Sequence, residues 1–141
     1  MIAWLRKIRR RSAGELSLLL AALAVRGTLL VLLRVVSFAA LQRTGIAVAR
    51  AWPRGAARGA AFEHRVAWAV ATAATLLPAE NTCLADALTA HWLLEAGGCR
   101  SAIRFGVARM PAHPLRAHAW VEAQSGIIVG AAGVGGFSTL S

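Results

Sequence analysis

A chain of 141 residues carrying a formal charge of +10 and 57% hydrophobic residues is one domain of ordinary size, able to bury a real core. That composition excludes a disordered tail. Two cysteines in no metal-type spacing exclude a disulfide framework and make a reducing compartment the default.

The basic residues are unevenly spread, with Arg6, Lys7, Arg9, Arg10 and Arg11 all in the first dozen positions. They resemble neither a base-reading module nor a set of interleaved aromatic platforms, so no nucleic-acid partner is expected. The run "ELSLLLAALAVRGTLLVLLRVVSFAAL" that follows invites reading as a signal peptide or a membrane span. Arg26 and Arg34 interrupt it, leaving pieces shorter than the ~20 apolar residues a crossing needs. Lying eight positions apart, they fall near one edge of a helix. Residues 1–50 are therefore expected to form a basic start and apolar helices packed on the domain, with peripheral membrane contact as the alternative. "RTGIAVARAWPRGAARGAAFEH" (43–64) reads as a Gly, Ala and Arg connector.

Residues 51–141 carry the expected core. Phe62, Val66, Val70, Ala73 and Leu77 recur at helical steps, with Glu63 and Arg65 off the stripe, until Pro78 ends the helix. Asn81 or Thr82 can cap the next helix, which runs from Cys83 to Ala96 and stops at Gly97 and Gly98. The period then changes to two. "SAIRFGVA" reads as a strand, "RMPAHPLR" as a loop, "AHAWVEA" as a second strand, and "QSG" as a turn into "IIVG". Helices followed by an antiparallel sheet make an α+β domain.

Within this frame Cys83 has two readings. Free cysteine is a common buried filler. In the first turn of a helix, however, unpaired N–H groups favour thiolate over thiol and can stabilise the oxyanion formed when a carbonyl is attacked. A histidine on a neighbouring strand, such as His118, could take the thiol proton and return it to a leaving amine. Taken alone, His118 is equally a hydrogen-bonded structural imidazole. His91 reads as a satisfied core histidine, His113 as exposed between two prolines, Cys99 as a loop or strand-edge residue, and Arg104 as an exposed strand residue. Trp120 fits either a shield for the imidazole or a cleft wall. Cys83, Cys99, His113 and His118 follow no zinc-finger spacing, and neither a metal nor a cofactor is expected.

The order helix, cysteine-headed helix, strand, "AHAWVE" strand and hairpin resembles the transglutaminase-like, papain-like cysteine peptidase fold. More narrowly, "LLPAENTCLADALTAHWLLEAGG", "IRFGVAR" and "AHAWVEAQSG" resemble the leader peptidases of lasso-peptide biosynthesis, the microcin-processing B proteins. The resemblance covers about residues 62–126. It implies a cytoplasmic enzyme that removes the leader from a precursor peptide, with Cys83 as nucleophile and His118 as general base. It also implies two partners, a separate leader-recognition protein and the ATP-dependent macrolactam synthetase that closes the ring.

The chain departs from the family pattern at one position. The family's orienting aspartate falls at Gly130, and no acid follows Glu122. Glu122 is a poor substitute, since four residues of extended strand place it ~13 Å from position 118. Asp86 could serve if it faced the cleft. The alternatives to a peptidase are thus an impaired relative that acts as a leader- or synthetase-binding scaffold, and a membrane-associated basic protein.

Overall fold

The computed structural model describes residues 3, 6, 9, 13–51, 59–79, 83–110, 113–129 and 138–140, with side chains left aside at 107–110, 113–118 and 138–140. From Ala13 onward, the described residues form four helices and then a small sheet: α1 (Ala13–Leu32), α2 (Phe38–Ala51), α3 (Ala60–Leu76), α4 (Cys83–Ala96), then β1 (Ser101–Met110), β2 (His113–Ala123), β3 (Gly126–Val129) and β4 (Ser138–Leu140). The sheet is antiparallel throughout, in the order β3-β2-β1-β4. The expected α+β architecture is the observed one.

α4 is the hub. It packs against α1, α2 and α3 on its helical sides and against β1, β2 and β3 on the sheet side. Its sequence permits this because small residues stand where neighbours crowd. Ala85, Ala87, Thr89 and Ala90 are all buried, as are Leu88 and Leu94. A helix covered on every side has no single apolar stripe to display. The main core joins Val66 and Val70 of α3, Ala87, Ala90 and Leu94 of α4, Cys99, and Ala119 and Val121 of β2.

The stop at the double glycine has a defined geometry. Gly98 adopts φ 81°, its N–H donates to the Glu95 carbonyl at 3.0 Å, and the Cys99 N–H reaches the Leu94 carbonyl at 2.8 Å. This is the Schellman arrangement, and it satisfies carbonyls that the helix end leaves open. The accompanying apolar contact is present too, since Leu94 and Cys99 share the core.

Several expectations need correction. Glu63 is not off the buried stripe but only 3% exposed. Its carboxylate accepts hydrogen bonds from the Gln124 N–H at 3.2 Å, the Ser125 N–H at 3.1 Å and the Ser125 hydroxyl, so α3 anchors the β2–β3 turn. The connector proposed for 43–64 is shorter than expected, because α2 continues to Ala51 and α3 begins at Ala60. Ser37 caps α2, its Oγ accepting the Ala40 N–H at 3.3 Å. The loop proposed for "RMPAHPLR" is largely strand, with Met110 opposite His113. Pro114 is tolerated there because the register slips between Ala108 and Met110, and proline enters sheets at such irregularities.

Arg26 and Arg34 do not share an outer helix edge. Arg34 follows the end of α1, whereas Arg26 is only 1% exposed. By length and composition α1 could cross a bilayer, with a mean hydropathy of 1.9 over its most apolar window. Yet Arg26, the charge in its middle, is turned into the protein.

Candidate active site

Cys83 is the first residue of α4 and is half-buried, packed against the edge of the main core. The opening residues of a helix carry backbone N–H groups with no partner inside it, so the sulfur stands beside a set of donors. The body of α4 packs directly on β2. His118 belongs to β2, paired with Gly106 of β1. One supersecondary unit thus brings the cysteine helix and the histidine strand together. The side chains of His118 and His113 lie outside the described residues, as does Gly130.

Two residues after His118, Trp120 is 2% exposed, and its Nε1–H donates to Glu122 Oε1 at 3.1 Å. The second Glu122 oxygen lies 3.4 Å from Arg104 Nε. Trp120, Glu122 and Arg104 therefore form a ladder across β1 and β2, in which Glu122 holds the tryptophan and a neighbouring strand. Trp120 is a buried anchor in this region, and Arg104, as expected, is exposed.

Asp86 lies one turn into α4, where an acid suits the positive helix end. Its Oδ1 accepts from Arg26 Nε at 2.6 Å. Arg26 also donates through Nη1 to the carbonyl of Leu77, just past the end of α3. Asp86 therefore has a second task besides the orienting one considered from sequence: it holds a buried guanidinium that fastens α1 to the cysteine end of α4.

Cys99 follows the Schellman turn, but it is buried in the core rather than at an open edge. His91 is a satisfied buried histidine, with Nδ1 2.6 Å from Ser101 Oγ. Burial pushes its pKa below the ordinary histidine value of 6.5, Glu95 opposes that shift, and Arg50 reinforces it.

Arg26, Glu63 and Ser101 are the residues that sequence reading missed. For Arg26 a signal existed, since a lone arginine inside an apolar helix must find an acid, and the chain has only six.

The fold and the placement of Cys83 define a class in which a thiol heads a helix packed on an antiparallel sheet. Residues 23–141 match the Transglutaminase-like superfamily, and the chain belongs to that superfamily, whose fold is typical of cysteine peptidases and transglutaminases. No curated protein and no solved structure matches the chain.

Proposed function

We propose that the protein is a cysteine peptidase that removes the leader from a lasso-peptide precursor. The observation that carries this reading is the position of Cys83 as first residue of α4, on a helix that packs on the strand bearing His118. In the proposed reaction the Cys83 thiol loses its proton to the His118 imidazole and attacks the scissile carbonyl. Backbone N–H groups at the start of α4 stabilise the tetrahedral oxyanion. The imidazolium then protonates the leaving amine, and water hydrolyses the thioester to free the enzyme. The domain reading that accompanies this places residues 1–50 as helices packed on a peptidase core of 51–141.

The lasso assignment rests on the "HAWVE" strand and the cysteine-helix motif. The partners it brings are the precursor peptide, a separate recognition protein that presents the leader, and an ATP-dependent macrolactam synthetase. The proposed location is the cytoplasm, with the apolar outer face of α1 available for peripheral membrane contact. Incubation with a cognate precursor and its recognition protein should release the leader, and Cys83→Ala should abolish release. Cleavage that survives this substitution would remove the assigned mechanism.

A second reading is favoured by Gly130, which stands where the resembled family has aspartate. There the protein binds leader or synthetase without turning over. Gly130→Asp separates the two. Increased cleavage supports an enzyme limited by its missing acid, whereas unchanged inactivity with intact partner binding supports the scaffold.

A further inference from the structure

The other end of α4 carries polar chemistry that the peptidase reading does not use. His91 lies eight residues beyond Cys83, or about 12 Å along the helix. Beside it is a recess of about 400 Å³, walled by Gln42, Arg43 and Arg50 of α2 and floored by His91 and Ser101. A second recess, of about 570 Å³, shares Arg50 and Ser101 and adds Arg100 and Glu95.

The floor and the walls differ in kind. His91 and Glu95 are buried and fixed. Glu95 Oε1 accepts the Ser101 N–H at 3.3 Å, and Ser101 Oγ is held by His91. The guanidinium groups, by contrast, stand at the rim. Arg50 has a side chain 63% exposed, with Nε 3.6 Å from Glu95 Oε2. Arg43 and Arg100 are exposed, and among the described residues neither forms an ion pair. Arg50 and Arg100 thus line the recess that Glu95 also lines, and Arg43 joins Arg50 in the neighbouring one, so guanidinium groups outnumber the single carboxylate, which already accepts from Arg50 and a backbone N–H. Arg43 and Arg50 are seven residues apart on α2, and so lie on one helix face.

A concave site with excess guanidinium, an amide and a hydroxyl meets the requirements for oxyanion recognition. We propose that this recess binds an oxyanion, a carboxylate or phosphate group, between Arg43 and Arg50 with Ser101 and His91 beneath it. The site is separate from Cys83, and its test does not depend on peptidase activity.

His91 supplies the readout. An anion placed beside it favours the imidazolium, so binding should raise the His91 pKa and move its ring resonances. The experiment is an NMR titration of the full chain at constant ionic strength. Inorganic phosphate is added in one arm and succinate in the other, with the His91 signals assigned through His91→Gln. A saturable shift with phosphate alone identifies a phosphate site, with succinate alone a carboxylate site, and with both a general oxyanion site. Each result supports the proposal if Arg43→Gln and Arg50→Gln each weaken binding tenfold or more while Cys83→Ala leaves it unchanged. Amide spectra of the arginine variants should confirm that these exposed substitutions leave the fold intact. No saturable shift in either arm, or shifts undiminished in the folded arginine variants, would overturn it.

Discussion

Arg26 and Asp86 form a buried ion pair, Nε to Oδ1 at 2.6 Å, between the middle of α1 and the first turn of the cysteine helix. The arginine is the more deeply enclosed partner, and it also donates to the Leu77 carbonyl. A buried pair adds little over well-packed apolar residues, but breaking it leaves a charge stranded. Asp86→Ala is therefore expected to cost about 3–5 kcal/mol, more than Arg26→Met, which removes the charge that needs a partner. Combining the two should recover part of the loss. Denaturant midpoints of the four proteins form the cycle that checks this, and equal, additive losses would contradict it.

Two glycines mark places where helices come together too closely for a side chain. A Cβ at Gly45 of α2 would lie 2.0 Å from the Trp92 ring on α4, and one at Gly97 would lie 2.2 Å from the Phe62 ring on α3. Gly45→Ala and Gly97→Ala should each destabilise by about 1–3 kcal/mol through overpacking. Trimming the opposing ring should relieve part of the strain, so Gly45→Ala combined with Trp92→Leu should lose less than the sum of the two single changes. Thermal unfolding distinguishes that coupling from simple additivity.

Glu63 is the anchor of the β2–β3 turn, accepting two backbone N–H groups and a hydroxyl. Hydrogen bonds to an ionised acceptor contribute more than neutral ones. Glu63→Ala should cost about 2 kcal/mol and Glu63→Gln roughly half of that. Hydrogen exchange at the amides of Gln124 and Ser125 should speed up in both variants. Unchanged exchange would mean that the turn holds its own shape, aided by Gly126 at φ 118°.

His91 gives the fold a pH dependence of determinate sign. Its folded pKa is depressed below 6.5, mainly by burial, so between the two values the unfolded chain binds more protons. Stability then rises with pH through that window, and is lost as pH falls below about 6.5 toward the folded value. His91→Gln removes the titrating group, so its denaturant midpoint should fall less between pH 7.5 and 5 than that of the parent. A steeper fall in the variant would place the acid sensitivity elsewhere.

Legibility from sequence followed the range of the forces involved. Cys83–Ala96 was readable to the residue because local chemistry defines its end, with Gly98 free to take positive φ. The β1–β2 pairing was readable from period-two alternation. β4 was not, since three residues carry no period and only pairing with Phe105, Gly106 and Val107 makes them a strand. The burial of Glu63 was also hidden, because its partners lie some sixty positions away. Likewise the sequence shows Arg26 only as an interruption near one edge of an apolar helix, because its acid partner stands on another helix. The candidate site was legible where it depended on one helix start and one strand. The recess at His91 needed α2, α4 and β1 brought together.

The two thiols should react very differently, and that contrast bears on the nucleophile. Cys83 is half-buried at a helix start, whereas Cys99 is enclosed in the core between α4 and β1. Alkylation of the folded protein with iodoacetamide should modify Cys83 first, because reaction requires access to the sulfur. Cys99 should be modified only as fast as the chain opens, so it should respond to denaturant and to the Asp86→Ala substitution. Peptide mapping by mass spectrometry, with Cys83→Ala as reference, separates the two sites. If Cys99 were labelled first in the folded protein, the thiol at the head of α4 would be the enclosed one, and a reaction beginning at that sulfur would lose its basis.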